Sequence, residues 1–209
     1  MRPDVLLPIL AFDTSAAHCA AALLWDGGQV LRDETMDKGQ AERLIPMLEE
    51  VLAEAGLGWR DLKAIAVGTG PGNFTGVRIA VAAARGLALG LGIPAVGVTR
   101  LEALAFGLPR PVTVIEDARR GEVYVQRLDA AAPRLATLAD AEAEGGPFTG
   151  SAAGMTGGAV IAARWPLAEA IARAGAALLA EGTQPRPAPF YLRSADAAPP
   201  ADPPPLILP

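Results

Sequence analysis

The sequence of 209 residues has very little cysteine and histidine, with one residue of each, Cys19 and His18. A single cysteine excludes an internal disulfide, and two neighbouring side chains without a further His or Cys exclude a zinc site of those residue types. A Ser-His-Asp triad could use only His18, and no nucleophile-elbow sequence lies near it. We interpret the pair as ordinary strand residues.

Positive charge is also scarce relative to negative charge. The chain has 18 basic and 23 acidic residues, which gives a net charge of −5. This balance excludes a protein that grips nucleic acid mainly through bulk positive charge. The hydrophobic fraction of 51% predicts a packed globule, and the length fits one large domain or two small lobes.

Long hydrophobic runs are missing as well. A membrane-spanning helix needs ~20 consecutive apolar residues, and the nearest candidate, 77–98, is interrupted by Arg78, Arg85 and Pro94. Residues 1–8 lack the basic start and apolar core of a signal peptide. These features predict a cytoplasmic protein that does not interact with membranes.

The first half of the chain alternates between two hydrophobic periods. Apolar segments at 9–14, 19–25 and 30–35 predict an antiparallel three-stranded meander, with a glycine turn between the last two. Residues 40–55 predict an amphipathic helix. Strands at 64–67 and 93–98, a helix over 77–91 and a capping box at 99–102 follow. The order β-β-β-α-β-α-β-α predicts an α/β domain with a mixed sheet.

The second half gives weaker signals. We predict strands at 112–116 and 122–128, a short strand within 147–158 and a helix over 167–181, whereas 130–146 shows no clear pattern. Six of the last eleven residues are proline, which predicts a disordered tail. The expected division is a first lobe over 1–106, a smaller second lobe over 107–195 and a tail over 196–209.

The most informative stretch is the glycine-rich loop at 68–76, which follows a strand and opens a helix. Backbone amides and the helix dipole can hold an anion at such a place. The loop lacks the Gly-Lys-Ser/Thr of a phosphate-binding P-loop, and neither register completes Gly-x-Gly-x-x-Gly. The simplest interpretation is a tight turn with Thr75 as the helix N-cap.

The same loop carries a family resemblance. Residues 70–79, GPGNFTGVRI, closely resemble the GPGSFTGLRIG signature of the TsaB family, formerly called YeaZ, which is related to the TsaD/Kae1 glycoprotease-like group. Further segments resemble family motifs in the same order, at 9–15, 40–47, 117–124 and 189–193. The resemblance therefore covers residues 9–193.

The resemblance implies an actin/Hsp70-like ATPase fold, with two ribonuclease-H-like lobes of which the second is reduced, each a mixed sheet flanked by helices. It also implies a role in making threonylcarbamoyladenosine in the anticodon loop of tRNA. In the family, a TsaD-type transferase performs the transfer, a TsaE-type ATPase joins the complex, and TsaB is a non-catalytic platform. By this analogy the chain would contact tRNA only indirectly and need no cofactor of its own, with ATP and Mg²⁺ bound in the complex.

The resemblance also implies a partner interface on the two helices at 40–55 and 77–91. We expect it to include Leu44, Met47, Leu48, Arg78, Ala82, Arg85 and Gly86. TsaD-type relatives hold a metal with two histidines on the first of these helices, which here contains none, so no metal site is expected. Some family members have His where Gln40 stands and Ser where Asn73 stands.

Several alternatives remain open from the residues. In actin-like ATPases an Asp at the end of the first strand orients metal-bound water, which makes a small ATPase or kinase the main alternative. Its nucleotide or phosphate site would use Asp13, Thr14, Gly70, Gly72, Asn73, Thr75, Gly76 and Arg78. The plainer interpretation is that the carboxylate bonds only to its own turn. A glycoprotease-like hydrolase lacks its metal ligands, and a homodimeric scaffold would use the same helices.

Two arginine features complete the expectations. Arg78 stands in the first turn of its helix, where a cation opposes the helix dipole unless it meets an anion or a partner. Arg119 and Arg120 are interpreted as a solvated turn and not as an RNA clamp, because the net charge is negative.

Overall fold

The computed structural model describes residues 7–193, and its first lobe is built on a five-stranded sheet. The sheet order is β3-β2-β1-β4-β5, with an antiparallel meander followed by two parallel additions. The strands are β1 (Ile9–Asp13), β2 (His18–Trp25), β3 (Gly28–Thr35), β4 (Ala64–Gly68) and β5 (Ala95–Val98). Strands β1 and β4 are buried along their whole length, as expected for central strands covered on both faces.

Helices α1 (Gln40–Glu54) and α2 (Phe74–Leu91) cover one face of this sheet. Their apolar positions recur at three- and four-residue spacing, so one stripe of each helix packs on the sheet. A short 3-10 turn (Trp59–Asp61) connects α1 to β4, and α3 (Arg100–Ala105) follows β5. The predicted capping box is present, since Thr99 accepts from the Glu102 amide and the Glu102 carboxylate accepts from the Thr99 amide.

The second lobe is a four-stranded sheet in the order β8-β7-β6-β9. Its elements are β6 (Thr113–Asp117), β7 (Glu122–Arg127), β8 (Arg134–Thr137), α4 (Leu138–Glu142) and β9 (Phe148–Thr149). The sequence patterns missed β8 and α4. Both are short, and α4 is held by its cap, because Thr137 Oγ1 accepts from the Asp140 amide at 3.1 Å.

The last helix, α5 (Leu167–Ala180), does not belong to the second lobe. It packs on the face of the first sheet opposite α1 and α2, in one core with β1, β2, β4 and β5. The predicted assignment of all residues from 107 to 195 to the second lobe is therefore wrong. Small residues allow the helix to lie close to the sheet, since a Cβ at Gly175 would stand 2.6 Å from the Cβ of Ala66.

Helix α2 is long and apolar enough to cross a membrane by length and composition alone, and 28% of it is buried. Core helices pass the same test, and α2 buries Val77, Ala80, Val81, Ala84 and Ala88 against the sheet. The architecture of two mixed sheets flanked by helices confirms the predicted α/β class. The predicted disordered tail, 196–209, lies outside the described residues.

Candidate functional site

The glycine-rich loop at 68–76 folds onto the turn after β1, so the structure brings together the two segments that the sequence singled out. The Asn73 amide donates to the Ser15 carbonyl at 2.6 Å, and Thr14 Oγ1 donates to the Gly76 carbonyl at 2.6 Å. Both Thr14 and Ser15 are buried. The loop is therefore docked on its own chain.

Two of the loop glycines are required by this docking. A Cβ at Gly76 would lie 1.8 Å from the carbonyl oxygen of Thr14, and one at Gly72 would lie 2.3 Å from that of Ser15. No side chain fits at such distances. At the loop where the sequence suggested an anion site, these glycines instead allow one backbone segment of the chain to pack closely against another.

The helix N-terminus is capped by Asn73, and the interpretation of Thr75 as the N-cap is wrong. Asn73 Oδ1 accepts from the amides of Thr75 at 3.0 Å and Gly76 at 3.1 Å. Thr75 itself is exposed on the first turn. An oxygen of the chain thus satisfies two of the amides that an anion would use.

This cap gives a testable prediction. We expect Asn73→Ala to lower the free energy of unfolding by about 1 kcal/mol, and Asn73→Ser to leave it nearly unchanged, because serine accepts the same hydrogen bonds. Urea denaturation of the three proteins measures both effects. Equal stability of the alanine variant and the parent would contradict the cap.

Asp13 sits at the centre of a buried network. Its Oδ1 accepts from the Ser15 amide at 2.9 Å and from Ser15 Oγ at 2.8 Å, and lies 2.7 Å from His18 Nε2. Arg100 Nη1 stands 4.0 Å away. Burial opposes ionisation, but the His18 hydrogen bond and the charges of Arg100 and His18 outweigh it and hold the pKa of Asp13 below its ordinary value.

The lowered pKa of Asp13 predicts an acid-sensitive contribution to stability. A carboxyl group with a depressed folded-state pKa stabilises the fold fully above its unfolded pKa of about 3.9, and the contribution is lost as the pH falls further. We expect the free energy of unfolding to fall more steeply below pH 5 in the parent than in Asp13→Asn. Urea denaturation from pH 6 to pH 3 tests this, with the exposed Asp37→Asn as the control. Identical slopes for parent and Asp13→Asn would contradict it.

A cleft with a volume of about 710 Å³ lies between the two lobes. Arg100 bridges them, because it starts α3 in the first lobe and forms an ion pair with Glu116 of β6. Glu116 Oε1 also accepts from the Ser151 amide at 2.6 Å. Burial opposes the charge on Arg100, but Glu116 and Asp13 outweigh it and raise the pKa of Arg100.

The cleft places several predicted residues differently from the expectation. Asp13 and Thr14 are fully buried, whereas Gly72 and Asn73 line the cleft. Gly70 has a positive φ of 92° and packs against the Phe190 carbonyl. The turn at Arg119 and Arg120 is exposed, as predicted, and it also lines the cleft, with φ values of 63° and 57°.

Part of the predicted partner interface is wrong. Leu44, Met47 and Leu48 are at most 1% exposed and pack in the core between α1 and the sheet. They are the apolar stripe that anchors the helix, so they cannot meet another protein in this fold. The outer side of α1 presents Glu42, Ile45, Pro46 and Glu49 instead.

The α2 part of that interface is exposed. Arg78, Ala82, Arg85 and Gly86 all lie on the outer side of the helix, and Leu89 beside them is 87% exposed. Arg78 has met a partner within the chain, since its guanidinium lies 3.8 Å above the Phe74 ring and its Nε donates to Tyr191 Oη at 3.1 Å.

Sequence reasoning missed three contributors to this region, namely Arg100, Glu116 and Tyr191. Arg100 was visible only as a member of a capping box, and Glu116 as a strand end. Tyr191 lies in the 189–193 segment that carried the family resemblance, which was the available signal. Within residues 7–193, no cluster of three His, Cys, Asp or Glu side chains could hold a metal ion.

Comparisons with protein families and curated proteins find relatives of the TsaD and TsaB type. The model of the family described as TsaD, tRNA N6-adenosine threonylcarbamoyltransferase, matches residues 34–157, more than half of the chain. The tRNA threonylcarbamoyladenosine biosynthesis protein TsaB of Haemophilus influenzae is 39% identical over 127 residues, 58% of this chain and 54% of that protein. TsaB of Escherichia coli is 41% identical over 121 residues, covering 56% and 52%. The matches thus span about half the length of these two curated relatives.

Longer matches extend the similarity to nearly the whole chain. An uncharacterised protein of Mycobacterium bovis is 36% identical over 200 residues, 91% of this chain and 94% of that protein. The structure of YeaZ from Pseudomonas aeruginosa is similar with a TM-score of 0.71 and 30% identity, over 88% of this chain and 99% of that one. The fold is therefore the actin-like, ribonuclease-H-like α/β fold that the resemblance implied, and the chain belongs to the TsaB (YeaZ) family of TsaD-related proteins.

Proposed function

We propose that this protein is a non-catalytic platform subunit of the machinery that makes threonylcarbamoyladenosine in tRNA. It would bind a TsaD-type transferase, with a TsaE-type ATPase joining the pair, and would contact tRNA only indirectly. Its family membership supports the pathway. The observation that carries the platform role is the outer side of α2, where Leu89 is 87% exposed beside Ala82 and Gly86.

Small residues favour a close helix–helix contact on this surface. Ala82 and Gly86 are one turn apart. Apart from the neighbouring backbone of the helix itself, no atom of residues 7–193 lies within 4 Å of the place that a Cβ would take at Gly86. A partner helix could therefore approach the α2 backbone closely and cover the leucine at the same time. Covering Leu89 in such a contact would remove apolar surface from water, which favours association.

The charges of the two outer helix sides are complementary to each other. Helix α2 carries Arg78 and Arg85 and no acidic residue, whereas α1 exposes Glu42 and Glu49. We propose that this arrangement also permits a homodimer when no partner is present, since a two-fold axis would bring α1 of each copy against α2 of the other.

Nucleotide is proposed to belong to the complex and not to this chain alone. Asp13 is 0% exposed and bonded to its own turn, and Asn73 occupies two amides at the α2 N-terminus.

The interlobe cleft is the feature that favours the small ATPase or kinase as a second candidate. ATP turnover by the purified chain that is lost in Asp13→Ala would establish that candidate. We also expect the protein to act in the cytoplasm.

The test is size-exclusion chromatography with light scattering on the chain alone and mixed with the TsaD-type protein of the same organism. A stable heteromeric complex is the expected result. Absence of a complex, also with the TsaE-type ATPase and ATP present, would overturn the platform role while leaving the family assignment intact.

A further inference from the structure

The C-terminal segment 184–193 reaches from the first lobe to the second and passes the N-terminus of α2. It forms neither helix nor strand, yet the Gly97 amide donates to the Pro185 carbonyl at 2.9 Å and the Phe190 amide donates to the Thr69 carbonyl at 2.8 Å. These bonds fix the segment along the edge strand β5 and the start of the glycine-rich loop. They deliver Tyr191 to the first turn of α2.

Tyr191 and Phe74 together hold the Arg78 side chain. The two rings stack with their centroids 4.8 Å apart, Arg78 Cζ lies 3.8 Å above the Phe74 ring, and Arg78 Nε donates to Tyr191 Oη at 3.1 Å. An arginine normally loses rotamer freedom when it binds a partner. Here the contacts within the chain have already restricted it.

Among residues 7–193, neither Nη1 nor Nη2 of Arg78 makes a hydrogen bond or an ion pair, and the side chain is exposed. The structure starts α2 at Phe74, so Arg78 is the fifth residue of the helix and does not stand in its first turn as predicted. Helix α2 has no acidic residue that could pair with it. Such a group gains most from an anion supplied by another molecule.

We propose that Arg78 is a preorganised receptor for a carboxylate of the partner protein, with Phe74 and Tyr191 as positioning residues. The planar guanidinium matches a carboxylate with two parallel hydrogen bonds. The inference rests on the proposed function and extends the interface from α2 to the C-terminal segment. The exposed residues continue from Arg78 through Ala82 and Arg85 to Leu89 at helical spacing, so one partner helix can meet them all.

A protein carboxylate fits these observations better than an RNA phosphate. Binding to a nucleic-acid backbone uses several cations at once, whereas this side of the chain has Glu42 and Glu49 on the neighbouring helix and the whole chain has a net charge of −5. The nearby apolar Leu89 also suits a protein surface and not a phosphate backbone.

The decisive variant is Arg78→Lys, which keeps the positive charge and removes the planar guanidinium with its two parallel N–H donors. Isothermal titration calorimetry with the TsaD-type protein should show that Arg78→Lys and Arg78→Ala each bind at least about tenfold more weakly than the parent protein. Tyr191→Phe keeps the stacked ring and removes one hydrogen bond, so a loss of about threefold is expected. Arg134→Lys, on an exposed arginine of the second lobe, should bind like the parent.

The salt dependence of binding separates a receptor from a merely structural role. The slope of log Kd against log salt should become shallower in Arg78→Ala and stay unchanged in Tyr191→Phe, because only the first removes the charge. If Arg78→Lys binds the TsaD-type protein as tightly as the parent does, the Arg78 receptor is wrong and the proposed function still stands. If the parent protein itself does not bind, both the receptor and the proposed function are wrong. Binding of tRNA by the chain that is lost in Arg78→Ala would overturn it in favour of a phosphate receptor.

Discussion

Gly76→Ala is expected to destabilise the protein by about 3 kcal/mol or more. The added Cβ would lie 1.8 Å from the Thr14 carbonyl oxygen, and that oxygen belongs to a buried backbone segment that cannot move aside. Overpacking against rigid backbone carries costs of this size. The change would also disturb the 2.6 Å hydrogen bond from Thr14 Oγ1 to the Gly76 carbonyl.

A matched control lies ten residues further along the same helix. In the part of the chain that the structure describes, a methyl group at Gly86 would meet nothing within 4 Å beyond the helix's own backbone. Gly86→Ala should therefore stabilise the protein by up to about 1 kcal/mol through helix propensity. Urea denaturation measures both variants. If Gly76→Ala and Gly86→Ala have similar stabilities, the loop at 68–76 is not docked on the turn after β1. An anion site at this loop would then again be a possible interpretation.

Ala82→Glu is expected to abolish the complex with the TsaD-type partner, with an affinity loss of at least about 100-fold. The substitution places a bulky, unpaired charge in the middle of the outer side of α2, and burying such a group in an interface costs several kcal/mol. The fold should be retained, because Ala82 is exposed and glutamate is a good helix former.

The control for this variant is the same substitution elsewhere. Ala130→Glu, on an exposed turn of the second lobe, should bind the partner as the parent does. Light scattering and titration report complex formation, and thermal unfolding checks that Ala82→Glu is folded. If both Ala82→Glu and Gly86→Lys still form the complex, α2 is not part of the interface.

Local patterns predicted most of the first lobe correctly. The strands and the two long helices of that lobe, and the turn at 119–121 of the second lobe, follow from hydrophobic period, glycine positions and capping residues, which act over a few residues. The second lobe was harder, because β8 has four residues and α4 has five. Elements of that length depend on their neighbours for stability more than on their own sequence.

Sequence patterns likewise identified some of the functional residues and misplaced others. The sequence identified the glycine-rich loop and Asp13, but it offered Leu44, Met47 and Leu48 as contact residues when they form the core. A periodic apolar stripe tells which side of a helix is buried, and not whether the burying surface belongs to the same chain. The structure shows that it is the chain's own sheet.

The sequence by itself determined the α/β class, the net negative charge, the absence of a disulfide and the family motifs, since composition and local period are properties of the chain. Only the tertiary structure decided that α5 returns to the first sheet, that the loop glycines face backbone, and that Tyr191 holds Arg78 across 113 positions of sequence. These contacts join segments far apart in the chain, and their geometry depends on how the two lobes pack, which no local pattern encodes.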